Sequence, residues 1–177
     1  MAGQVRCIYL LLGPKGSGKS YAGRLMEAEL NIPFCPVEQW LLELKQSPDL
    51  NNDAYLQAVF ARIEEGVRTA LQSATVVCFE STGLTPWFDG MLASLQQDFR
   101  VITVRLEADA DVCLNRVEAR DASTHLPHSW ETVADINRQV AEKNVPAMHT
   151  ISNSENNREA LLKALQAVVK STASGFQ

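Results

Sequence analysis

The stretch CIYLLLGPKGSGKSYAGRLMEAEL, residues 7–30, sets the architecture: an apolar run, a glycine-rich loop and a helix in immediate succession. The run, which extends back over residues 5–12, predicts a strand buried on both faces, as the central strands of parallel sheets are. Working outward, the alternation repeats. NIPFCPV (31–37) predicts a weak second strand ended by Pro36, with a short helix over 39–45. Over 54–72, Leu56, Val59, Phe60, Ile63, Val67 and Leu71 fall on one helical face. TVVCFE (75–80) predicts a third strand, and Thr85 with Pro86 supplies an N-cap and first-turn proline for the helix beyond. VITVRL (101–106) predicts a fourth strand, DVCLNRVEAR (111–120) a helix, and Ser129 caps another helix running to about Lys143. AMHTIS (147–152) predicts a fifth strand, and a closing helix opens at Ser154. Strands alternating with helices imply an α/β protein of three layers, a five-stranded parallel sheet covered on both faces.

Between the first strand and its helix, Gly13, Gly18, Lys19 and Ser20 satisfy G-x-x-x-x-G-K-S. Glycines at 13, 16 and 18 let the backbone wrap with its N–H groups pointing inward, a nest for phosphate oxygens, and the helix N-terminus adds its positive end. Pro14, Lys15, Ser17 and Tyr21 complete the candidate nucleotide contacts. In this pattern Lys19 bridges the β- and γ-phosphates and the Ser20 hydroxyl ligates Mg2+. The anion expected here is a nucleoside triphosphate, with ATP and Mg2+ as cofactors.

Composition limits the alternatives. With 177 residues, 46% of them hydrophobic, the chain holds enough apolar material for one domain and too little for two comfortable ones. A formal net charge of -5 argues against a general nucleic-acid or membrane-surface binder, because counterion release needs a basic face. Cys7, Cys35, Cys78 and Cys113 lie far apart with no CxxC pair, which predicts reduced thiols and a cytoplasmic setting. His125 and His128 stand three apart in a loop without a third ligand at sensible spacing, so zinc is not expected. The last residues, SGFQ, read as a loose tail.

With these motifs the chain resembles the small P-loop kinases of the nucleoside monophosphate, gluconate and shikimate kinase type, over nearly its whole length. The resemblance implies a P-loop NTPase fold with strand order 2-3-1-4-5 and a short lid, here over 121–129. It implies that Arg116 and Arg120, four apart on one helical face before the lid, pack on adenine or reach the phosphates. It also implies that Arg138 folds back on the transferred phosphoryl group. ISNSENNREALL resembles the last strand, adenine loop and closing helix, so Asn153, Ser154 and Asn156 line the base, although Ser154 reads equally as a helix cap.

Glu80 ends a buried strand at its C-terminal edge, where ligands collect in open α/β sheets, and is the carboxylate expected to organise Mg2+ or orient an acceptor hydroxyl. Ser81 and Thr82 follow as acceptor-site hydroxyls or ordinary turn residues. The chain departs from the shikimate kinase pattern, reading FCPVEQW and FESTG where that pattern has an aspartate pair and a glycine triplet; ARDASTHLPHSW matches the gluconate kinase lid only loosely. CPVEQWLLEL resembles a segment of deoxynucleoside kinases, with Cys35 in place of their catalytic glutamate and Glu38 as its substitute. Trp40 and Trp87 would line an acceptor pocket in either case. The expected activity is transfer of the γ-phosphoryl group of ATP to a small-molecule hydroxyl or phosphate. Against it stands a non-catalytic nucleotide-binding module, although no guanine-reading N-K-x-D segment is present.

Overall fold

The computed structural model describes residues 5–44, 52–120 and 129–173. The expected lid over 121–129, apart from Ser129, lies outside the described residues, as do His125, His128, Lys45 and the tail 174–177. At the centre of the sheet, β1 (Cys7–Leu12) pairs in parallel with β2 (Val76–Ser81) and β3 (Arg100–Glu107), and β3 with β4 (His149–Ser152). All six residues of β1 are buried, which explains their unbroken apolar run.

The sides of β1 alternate. Ile8, Leu10 and Leu12 join Val77 and Phe79 in a core closed by α3 (Asp53–Ser73) and α4 (Pro86–Asp98). Cys7, Tyr9 and Leu11 join Ile102, Val104 and Leu106 in a second core under α1 (Lys19–Leu30) and α7 (Arg158–Ala173). The helix stripes read from the sequence are the buried faces: Leu56, Val59, Ile63, Val67 and Leu71 of α3 all lie in the first core. Local caps hold the helix starts. Asn52 accepts from Tyr55 N–H, Thr85 from Phe88 N–H ahead of α4, and Ser129 from Thr132 N–H ahead of α6 (Trp130–Lys143).

The sheet has four strands, in the order β2-β1-β3-β4, and not five. NIPFCPV meets it at a single parallel bridge, Phe34 to Cys78. There Cys35 N–H donates to the Cys78 carbonyl and Cys78 N–H to that of Pro33, each at 2.8 Å. Pro33 has no N–H for the next rung. Beyond Pro36, Val37 N–H turns back to the Cys35 carbonyl at 2.9 Å and α2 (Val37–Glu43) begins, two residues earlier than expected. The succession is therefore the expected one with its second member reduced to a rung. The closing helix also differs: it opens at Arg158, capped by Asn157, which accepts from Ala160 N–H at 3.0 Å. Ser154 instead accepts from Asp109 N–H at 3.0 Å, tying β4's exit to the start of α5 (Ala110–Glu118).

Candidate active site

Gly13, Gly16 and Gly18 hold φ of 143°, 87° and 94°, conformations that L side chains rarely adopt. Space demands glycine as well: a Cβ on Gly16 would lie 2.1 Å from the Cys113 carbonyl oxygen, so α5 packs directly on the loop. Three side chains grip the loop's backbone. Lys15 N–H donates to Asn137 Oδ1 at 2.7 Å, and Asn137 Nδ2 returns a bond to the Lys15 carbonyl at 3.0 Å. Asn153 Nδ2 donates to the Ser17 carbonyl at 2.8 Å. Arg116 donates to the Gly16 carbonyl at 3.3 Å, and to Asn153 O and Asn156 Oδ1 at 2.8 Å each. From the sequence, Arg116, Asn153 and Asn156 were expected at the base or phosphates; the structure shows them bonded to the loop and to one another. Asn137 was not expected, since nothing marks a lone asparagine inside α6 as a partner for a residue 122 positions away.

Lys19, only 6% exposed, curls back on the loop and donates to the carbonyls of Gly13 at 2.9 Å and Pro14 at 2.8 Å. Burial pushes its pKa down to about 8, against the pull of Glu80. Burial also lowers the pKa of Lys15, and Arg120 adds to that effect. Ser20 Oγ donates to Glu80 Oε1 at 2.6 Å, joining the first turn of α1 to the C-terminal end of β2. Ser17 Oγ is buried without a partner among the described residues. A wrapped glycine backbone, an orphaned hydroxyl, a buried ammonium and a hydroxyl–carboxylate pair fit a Mg2+-nucleoside triphosphate: donors for phosphate oxygens, oxygens for a hard cation.

A cleft of about 1240 Å3 opens against this group, with Lys15, Lys19, Ser20 and Glu80 in its wall. Glu38, Ser81, Thr82 and Trp87 line it too, as does Arg120. Thr85 sits at its edge with φ 75°, an outlying conformation for a β-branched residue. Two expected acceptor-side residues are elsewhere. Cys35 is 3% exposed and belongs to the core, where burial drives its thiol pKa up to about 12. Trp40 packs its ring toward Gly66 of α3, with the Arg62 guanidinium 5.1 Å from the ring centroid. Arg138 is on the outer face of α6, paired with Asp135 at 2.5 Å and Glu142 at 2.8 Å on the same helix, and is not in the cleft wall.

On the other side of Gly16 and Gly18 a pocket of about 350 Å3 is lined by Tyr21, Arg116, Arg120, Asn153 and Asn156. Arg24 and Arg158 also line it, neither singled out by the sequence. Ser154 faces a third cavity, of about 520 Å3, beside Arg105 and Asn137. Arg105, at the end of β3, donates to Asn144 Oδ1 and to the Val145 carbonyl, so it secures the C-terminus of α6.

Solved structures with this fold include small kinases. A shikimate kinase from Acinetobacter baumannii, in complex with shikimate, is 18% identical with a TM-score of 0.64, covering 97% of this chain and 95% of that one. A gluconokinase from Sinorhizobium meliloti 1021 is 16% identical with a TM-score of 0.62, covering 98% and 97%. A putative kinase from Chloroflexus aurantiacus is 15% identical with a TM-score of 0.65, covering 93% and 98%. No protein-family model matches the chain, and no curated protein sequence does. The likeness shows the P-loop kinase fold over nearly the full length of both partners; at such identity it shows nothing of the substrate.

Proposed function

We propose that the protein is an ATP-dependent kinase that phosphorylates a small molecule. The observation that carries this reading is the Ser20–Glu80 pair, 2.6 Å apart beside buried Lys19, at the wall of a cleft large enough for an acceptor. Bound Mg·ATP would supply the transferable γ-phosphoryl group and a cation to neutralise its charge. The residues in hand divide the remaining work. Gly13 to Gly18 would hold phosphate oxygens on backbone N–H groups, and Lys19, bonded here to two carbonyls, would bond to phosphate. Ser20 and Glu80 would hold the cation. Arg116 lines the pocket beside Tyr21, and Arg120 lines both that pocket and the cleft, which supports contacts of the two with base and phosphates.

Glu38, in the first turn of α2 and in the cleft wall, would take the proton of an acceptor hydroxyl. The acceptor oxygen then bonds to the γ-phosphorus as that phosphorus loses its bond to the bridging oxygen, giving a phosphoester, ADP and a proton. Cys35 cannot share this task, being buried with a thiol that stays protonated. Four buried free thiols suit a reducing, cytoplasmic setting.

A screen of hydroxyl metabolites for ATP-dependent phosphorylation tests the reading. With an acceptor found, Glu80→Gln should cut turnover by a factor on the order of 10². It should preserve the rise in melting temperature that saturating Mg·ATP produces, roughly 5–10 °C for a chain this size. A melting temperature unmoved by millimolar Mg·ATP would overturn the reading. A rise without turnover of any acceptor would favour a nucleotide-binding module.

A further inference from the structure

The glycine loop carries a second lysine whose backbone is fixed from outside the loop. Lys15 commits its N–H to Asn137 Oδ1 at 2.7 Å, and its carbonyl accepts from Asn137 Nδ2 at 3.0 Å. A residue has a single backbone donor, so Lys15 has no second one to add to the nest of amides for phosphate. What it can offer a ligand is its side chain. That side chain lines the large cleft together with Lys19, Ser20, Glu80, Glu38 and Arg120, and it does not line the pocket beside Tyr21. Glu38, Arg120 and Glu80 all lie within electrostatic reach of it.

The clamp matters most once nucleotide is bound. Here the limb of the loop from Gly13 to Lys15 is held from two sides: Lys19 Nζ donates to the carbonyls of Gly13 and Pro14, at 2.9 and 2.8 Å, and Asn137 grips Lys15. In the kinase reading Lys19 turns to phosphate and releases both carbonyls. The limb then keeps the bond from Ser17 N–H to the Pro14 carbonyl, long at 3.3 Å, and the two bonds to Asn137. A lysine stem is long and flexible, so an ammonium meant for one phosphoryl oxygen needs its backbone fixed. α6 supplies that fixture and is itself anchored at its far end, where Lys143 meets Asp89 and Arg105 donates to the C-cap Asn144. Burial lowers the Lys15 pKa, and an anionic group beside it favours the charged form.

We propose, building on the kinase reading, that Lys15 is a catalytic residue whose ammonium hydrogen-bonds to a γ-phosphoryl oxygen on the acceptor side, and that Asn137 is the positioning residue that holds it there. The phosphorus exchanges its bond to the bridging oxygen for one to the acceptor oxygen, and Glu38 takes the acceptor's proton. Lys15 keeps its own protons throughout and offsets charge on the oxygens that do not change partner.

The test is nucleotide binding by calorimetry, with Mg·ADP and with the Mg2+ complex of a non-hydrolysable ATP analogue. The ratio of the two dissociation constants isolates the γ-phosphoryl group. Lys15→Met should reduce the wild-type preference for the triphosphate by about tenfold, the effect of one charge-assisted hydrogen bond, and leave the Mg·ADP constant within about twofold. Asn137→Ala should reduce the preference by about threefold, and the double variant should fall no further than Lys15→Met, because the clamp acts through the lysine. Asn137→Asp, which keeps the acceptor for the Lys15 N–H, should lose less. Melting curves check that each variant is folded, with Lys15→Gln as the second removal of the charge. A preference unchanged in both Lys15→Met and Lys15→Gln would overturn the inference and leave the kinase reading intact. Equal weakening of both nucleotides would overturn the assignment to the γ-phosphoryl group. A loss in Asn137→Ala that adds to that of Lys15→Met would overturn the positioning role. If wild-type protein bound neither nucleotide, the kinase reading and the inference would fall together.

Discussion

Lys19 is buried as an ammonium whose partners are neutral carbonyls, and its lowered pKa measures the cost of that placement. Between about 8 and 10.5 the folded protein holds a neutral amine where the unfolded chain holds a cation. The unfolded state binds more protons in that interval, so this residue makes stability rise with pH there, and the penalty is fully present below pH 8. A polyphosphate placed beside the amine draws the proton back. Binding of Mg·ATP within that window should take up a proton, seen as binding heats that differ between two buffers of unlike ionisation enthalpy. Lys19→Met should remove the difference, and equal heats with wild-type protein would refute it. The loop that creates this situation was legible in the sequence because its mechanism is contiguous: glycines, lysine and serine at fixed spacing between a strand and a helix. Asn137 was not, since its role arises only when a separate helix is packed against the loop.

Packing between elements was partly legible for a related reason. Periodicity identifies which face of α3 is buried, but does not say what another helix lays against it. At Gly66 the Trp40 ring of α2 comes so near that a Cβ would meet it at 2.4 Å. Gly66→Ala should therefore lower stability by about 1–3 kcal/mol, as overpacking does, despite the better helix propensity of alanine. Thermal unfolding measures the loss. Because α2 also carries Glu38, the acceptor KM should change with it; a variant more stable than wild type would show that α2 yields freely. The second strand expected over NIPFCPV was over-read through the same gap between local pattern and packing. Its apolar residues were real, but Pro33 and Pro36 left one rung's worth of backbone able to pair.

Across the molecule, both faces of the sheet were expected to be covered, and the two cores confirm it, while the cleft was beyond sequence because its walls come from α2, α3, α4 and α6 together. The same burial governs the thiols. Cys7, Cys35, Cys78 and Cys113 are each at most 6% exposed, and burial raises the pKa of every one. A thiol reagent should label none of them quickly at neutral pH, and all four at once when denaturant opens the fold. Fast labelling of the native protein would contradict the packing.

The single rung at Phe34 also guards the molecule against its own copies. Its two bonds occupy the middle of β2's outer margin, and the opposite margin, β4, is only four residues long. Neither margin offers an extended row of idle amides on which a neighbouring chain could crystallise a cross-molecular ribbon. Together with mutual repulsion from a charge of -5, this should keep concentrated solutions of the folded protein dispersed.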